Sequence, residues 1–209
     1  MSGAGWKEQN LSREQQREQK RMAVLKTGAK LFNDRGFDRT TLDDIAEALN
    51  VSKRTLYYYV KNKDDILFEC NRLAYEFMYD AQEAAKDESI PVLERIEGLL
   101  RGYLRNLDTD FGACLVLSKQ NLLSEESAAY LKEGRRRLDH SIRDLIQTGI
   151  DQGVIPPCEP RYAAATIFGA LNWVPHWYRG NEKIDIEELA DHMVPMLMAG
   201  LAAGSAKNS

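Results

Sequence analysis

One stretch limits what this chain can become more than any other: residues 40–67, T-T-L-D-D-I-A-E-A-L-N-V-S-K-R-T-L-Y-Y-Y-V-K-N-K-D-D-I-L. Leu42, Ile45, Ala46 and Leu49 recur at helical spacing. Thr41 stands before them as a capping residue, with Asp43 and Asp44 in the first turn, where carboxylates suit the helix dipole. The period stops at Asn50, a residue that tolerates the left-handed backbone of a tight turn. Ser52 then caps a second helix, whose Leu56 and Val60 face inward, and small Ala46 lets the two helices cross closely. The outer face keeps Lys53, Arg54, Thr55, Tyr57, Tyr58 and Tyr59. A plain solvent face has no use for three adjacent tyrosines. Such a face suits a helix laid in a major groove, where Arg and Lys reach guanine edges or phosphates and tyrosine hydroxyls bond phosphate oxygens.

The charge distribution agrees. Through Lys63 the chain carries 13 Lys and Arg against 8 Asp and Glu, and the remainder carries 15 against 24. A basic first third on an acidic body fits one surface that meets a polyanion and another that repels it. No apolar run is long enough to span a bilayer, and the first ten residues lack the apolar core of a secretory signal. Cys70, Cys114 and Cys158 form no C-x-x-C pair and read as reduced thiols of a cytoplasmic protein. His140, His176 and His192 have no ligand-like spacing, so neither a metal nor a cofactor is expected.

Taken in order, residues 1–16 read as a disordered polar tail, with Lys7, Arg13 and Arg17 (the last at its border) available to brush phosphates. A first helix follows over 17–35, with Met22, Leu25, Ala29 and Phe32 on one stripe and Gly36 as its stop. Long helices are expected over 63–85, from Pro91 to 107, and from Glu125 to 152 after the Ser124 cap, with an apolar segment at 113–123. A very apolar helix over 160–177 should be kinked or ended by Pro175, and a last one runs over 186–201. Residues 203–209 read as a second disordered tail.

The blocks L-F-x-x-x-G-F, T-T-x-x-x-I-A and T-L-Y-Y-Y-V-K-N-K-D-x-L, in that order between about Met22 and Leu67, resemble the DNA-binding domain of the TetR family of bacterial transcriptional regulators. Asn50 departs from the glycine common at that turn. The resemblance implies an all-α chain of about nine helices: a helix-turn-helix domain over 17–62 and a ligand-binding and dimerisation domain over 63–202. It implies that Thr41 and Lys63 clamp phosphates, that Lys61 adds a backbone contact, and that Lys53 and Arg54 read bases. It also implies a homodimer on an inverted-repeat operator. The late apolar helices point to the same association, since they carry more apolar surface than one body needs to bury; Phe168, Leu171, Met193, Met196 and Leu197 are the candidate seam.

An apolar effector is expected between the long body helices, near Phe77, Tyr103, Leu104 and Leu138. The segment G-A-L-N-W-V-P-H-W-Y-R-G is similar to TetR regulators of lipid, steroid or aromatic-acid degradation, several of which answer to acyl-CoA thioesters. That similarity implies that Trp173 and Trp177 border the pocket or the seam. It also implies that Arg179, or the cluster Arg135, Arg136 and Arg137, meets CoA phosphates. The competing class is a helical enzyme acting on a small lipophilic or CoA-linked substrate. Against it, the chain holds no G-x-S-x-G, H-E-x-x-H or P-loop motif. An acidic body argues against non-specific DNA packaging.

Overall fold

The structure is a computed structural model, and it describes residues 12–118, 124–178 and 185–203. Lys7, Arg179, the end of the apolar segment at 119–123 and the tails at 1–11 and 204–209 lie outside the described residues. Among the described residues every regular element is a helix. In chain order they are α1 (Arg13–Arg35), α2 (Leu42–Ala48), α3 (Lys53–Tyr57), α4 (Lys63–Phe77), α5 (Tyr79–Ala84), α6 (Val92–Leu107), α7 (Asp110–Leu117), α8 (Glu125–Asp151), α9 (Pro160–Asn172), α10 (Val174–Trp177) and α11 (Ile186–Ala203). Single residues, Met78 and Trp173, separate α4 from α5 and α9 from α10, so these segments amount to nine rods.

Caps decide most boundaries. The first helix starts at Arg13, four residues before the apolar stripe suggests, because Ser12 and Gln15 form a reciprocal capping box. Thr41 and Asp44 do the same for α2, and Ser52 accepts from the Thr55 amide for α3. Asn50 takes a φ of 54°, the left-handed turn expected of it. The rod over 63–85 bends at Met78, whose amide bonds to the Tyr75 carbonyl at 3.2 Å and so tightens the turn to three-residue spacing. Helix α7 begins at Asp110, earlier than expected, because Thr109 accepts from the Gly112 amide at 3.0 Å. Pro175 opens α10 and leaves the 160–177 rod broken at Trp173, as a residue with no amide proton should. Ala203, expected in the tail, closes α11.

Two cores result. The head packs Val24, Leu25, Phe32, Phe37, Ile45, Leu56, Ile66, Leu67 and Cys70. The body packs Ile96, Leu100, Leu104, Ile142, Ile146, Ile167, Leu171 and Val194. Helix α7 joins them. Its Cys114 is fully buried in the head core beside Cys70, while the Asp110 carbonyl accepts from Asn33 of α1 at 2.9 Å. A carboxylate clamp holds α1 to α4: Glu69 takes Arg21 at 2.8 Å and Arg72 at 3.0 Å. Burial would raise the Glu69 pKa, but the hydrogen bonds from both guanidiniums outweigh it and hold the carboxyl below its ordinary range.

Candidate functional site

The head surface is built around a five-residue helix. Leu56 is the only residue of α3 buried in the core, so Lys53, Arg54, Thr55 and Tyr57 all face outward. Lys53 is engaged at rest, its ammonium 2.9 Å from Asp43 of α2, and this bond raises the lysine's pKa. The Thr55 hydroxyl is 2.8 Å from that of Ser52. Tyr57 and Tyr58 are 51% and 65% exposed, too much for side chains held only by packing.

Tyr59 is placed differently from its neighbours. Helix α3 ends at Tyr57, so Tyr59 lies in the following turn, half-buried against the head core, with its ring edge-on to Tyr58 at 5.1 Å. The outward face expected for it assumed a longer helix. In its place α1 contributes Arg17, whose guanidinium sits 5.4 Å from the Tyr58 ring centroid. Arg17 stood at the border of a polar tail in the sequence; the Ser12 cap was the signal that makes it part of a rod.

The expected phosphate clamps frame this surface. The Thr41 hydroxyl caps α2 and also donates to Asp44 at 2.5 Å. Lys63 donates to the Phe37 carbonyl at 2.7 Å and lies 4.2 Å from that ring's centroid. An ammonium has three donors, so two remain for a phosphate. Lys61 is exposed in the turn before α4, its amide bonded to Asp65 at 3.0 Å.

The body opens into a cleft of about 770 Å³ between α4, α6, α7, α8 and α9. Of the residues read as ligand-binding, Tyr103, Leu138 and Trp173 line it. Leu104 does not: it is fully buried in the body core, one residue past the wall on the other side of α6. Phe77 lies on a separate groove against α6, and exposed Trp177 stands beside the Tyr178 ring, away from the cleft lining. Phe168, read as a seam residue, turns into the cleft and meets Tyr103 edge-on at 5.1 Å.

The cleft is apolar inside and basic at one rim. Leu115, Val116 and Phe168 supply apolar wall, and Lys132, Arg135 and Arg136 line the α8 side with one acidic neighbour, Asp139, Arg136 being held by Glu133 at 2.8 Å. Arg137, the third member of that run, is not among the lining residues. Deep in the wall the Tyr103 hydroxyl donates to the side-chain amide oxygen Oδ1 of Asn172 at 2.6 Å, and burial pushes its pKa above the ordinary tyrosine range. Tyr75, from α4, completes the wall; nothing in its sequence position marked it as more than core.

The late helices leave an apolar outer face. Leu171 is wholly enclosed within its own chain and is core, not seam. Met193 and Leu197 are half-buried against that core, whereas Met196 is 75% exposed. Beside Met196 on α11, Pro195, Ala199 and Gly200 are exposed, and the exposed Tyr162 of α9 lines one groove with Met196 and Gly200, so this face keeps apolar or small surface outward.

Comparisons with known proteins match both halves. A model of bacterial regulatory proteins of the tetR family covers residues 24–70, and one of the tetracyclin repressor-like C-terminal domain covers 89–201. The HTH-type transcriptional regulator YhgD of Bacillus subtilis is 25% identical over 185 residues, spanning 86% of this chain and 95% of its own. The HTH-type transcriptional repressor KstR2 of Mycobacterium tuberculosis is 20% identical over 185 residues, 87% of this chain and 92% of its own, and its structure superposes with a TM-score of 0.81 over 88% of this chain and 95% of its own. The structure of AibR in complex with isovaleryl coenzyme A and operator DNA is 25% identical, with a TM-score of 0.74 over 85% of this chain and 97% of its own.

Proposed function

The chain belongs to the TetR family of bacterial transcriptional regulators, and from that premise we propose that it is a dimeric repressor released from an inverted-repeat operator by an acyl-CoA thioester. One observation carries the proposal: α4 starts in the head at Lys63 and reaches the cleft wall at Tyr75. Twelve residues of helix place these about 18 Å apart on one rigid rod. A ligand that shifts the Tyr75 end therefore re-aims the Lys63 end.

On the DNA, Arg54 and Lys53 read bases, while Tyr57, Tyr58, Lys61, Lys63, Thr41 and Arg17 hold phosphates. Lys53 leaves Asp43 to do so. Two heads are needed, because one short helix contacts only a few base pairs and a dimer doubles the site. The apolar face around Met196 supports that association, with Trp173 at the edge of both the seam and the cleft. The cleft chemistry supports the ligand class: an acyl chain suits the wall of Leu115, Val116 and Phe168, and CoA phosphates suit Lys132, Arg135 and Arg136. The structure of AibR in complex with isovaleryl coenzyme A and operator DNA points the same way. The cytoplasm is the compartment such a protein needs.

The test is reciprocal. Duplexes selected from a random pool should yield an inverted repeat, and saturating acyl-CoA should weaken its binding by a factor that the DNA returns on acyl-CoA binding. Coupling of this kind typically amounts to about 5–150-fold. Independent binding of the two ligands would sink the induction model, and uniform coverage of random DNA would sink operator recognition. Met196→Arg should leave a monomer by light scattering with weakened operator binding; a dimer of unchanged affinity would remove the seam.

A further inference from the structure

We propose that Tyr75, Gly134 and Arg135 form the contact through which occupancy of the cleft reaches α4; this rests on reading the cleft as the effector site. Gly134 lies on α8 directly against the Tyr75 ring. A methyl group there would stand 2.8 Å from Cδ2, 2.9 Å from Cγ and 3.1 Å from Cε2. Glycine is what lets the two helices meet, and it leaves no slack between them. The ring has little room to yield sideways, since Tyr75 is 9% exposed and packs in one cluster with Ala74, Leu115 and Leu131.

The next residue along α8 completes the device. Arg135 lines the cleft, and its guanidinium also faces the Tyr75 hydroxyl. Burial raises the Tyr75 phenol, and the guanidinium holds that rise back. A phosphate or carboxylate entering the cleft competes for the same guanidinium, and a charge-assisted bond to an anion is stronger than one to a neutral hydroxyl. An empty cleft thus keeps Arg135 on α4. An occupied one takes it away while apolar ligand atoms press on the ring. Because Gly134 allows no clearance, displacement of the ring becomes displacement of α4.

Two variants of the full-length protein test this. Gly134→Ala inserts the missing methyl and should act as a built-in effector. We expect operator affinity to fall tenfold or more without any ligand, in a protein whose circular dichroism and dimeric state match the wild type. Tyr75→Phe keeps the ring and removes the hydroxyl. With isovaleryl-CoA as the probe, the factor by which it weakens operator binding should drop at least fivefold toward unity. Folded Gly134→Ala with wild-type operator affinity overturns the proposal, and so does Tyr75→Phe with an unchanged coupling factor. Should isovaleryl-CoA fail to bind the wild-type protein, it is the effector reading that suffers. The ligand-free Gly134 measurement then decides the coupling contact by itself.

Discussion

Replacing Gly112 by alanine should damage this protein far more than its place in a short helix suggests. A Cβ built at Gly112 falls 1.9 Å from the Asn106 carbonyl oxygen and 2.4 Å from its carbon. These are backbone atoms of α6, which cannot rotate away as a side-chain tip would. Restoring even a 3.0 Å separation moves α7 by more than an ångström. That displacement pulls on the Thr109 cap, which holds the Gly112 amide, and on Cys114 in the head core. Overpacking of this kind costs about 1–3 kcal/mol and a strained cap about 1 kcal/mol more. Better helix propensity returns at most about 1 kcal/mol, so the net loss is about 1–3 kcal/mol.

For a chain of this size that lowers Tm by about 2–12 °C. Gly98 is the control: it lies exposed in α6 with nothing within 4 Å of a built Cβ. Gly98→Ala should raise Tm by about 1–4 °C through reduced unfolded-state entropy. Differential scanning calorimetry at one fixed protein concentration checks both, since dimerisation makes Tm concentration-dependent. If Gly112→Ala melts at or above Gly98→Ala, the tight α6–α7 junction is not what holds α7 in place.

Further outcomes are expected. Asp43→Asn should free Lys53 in each head from its ion pair and tighten operator binding, read by fluorescence anisotropy, by up to about fivefold per head, and an unchanged or weaker affinity would mean Lys53 does not leave Asp43 to read bases. The Glu69 carboxyl is held below its unfolded value, so its contribution is present above the ordinary glutamate range and is lost as pH falls through the lower folded value. Tm followed from about pH 6 down to about pH 3 should therefore fall less steeply for Glu69→Gln than for the wild type, and parallel curves would remove the clamp from the acid limb. A hydrogen bond with Cys114, and then burial, push the Cys70 thiol up, and both sulfurs are fully buried, whereas Cys158 is only half-buried. An aromatic disulfide reagent should titrate Cys158 alone in the native protein and all three thiols in denaturant; rapid native reaction at Cys70 would show that the head core opens readily.

The head was readable in the sequence because its signals are local. Thr41, Ser52 and Asn50 each act within three or four residues, so their roles follow from neighbours already in view. Tyr59 shows where that ends: its side depends on α3 stopping at Tyr57, and no cap residue announces the stop. The body was harder because its helices are apolar on several faces. Phe168 and Leu171 sit three apart on α9 and looked alike, yet one turns to the cleft and the other into the core. Only the positions of α6 and α8 decide between them. Tyr75 was the least legible, since its part in the cleft depends on a glycine 59 positions later, Gly134.

The seating of Cys114 in the head has a consequence for engineering. Three consecutive residues of α7 serve two owners: Cys114 fills the head, and Leu115 and Val116 face the cleft. A reading head excised after α4 would leave a hole beside Cys70 and Leu25. A head borrowed from another regulator would meet a plug cut for a different socket. Chimeras meant to join a new operator to this sensor should transplant α7 together with the head, or recut position 114 to match it.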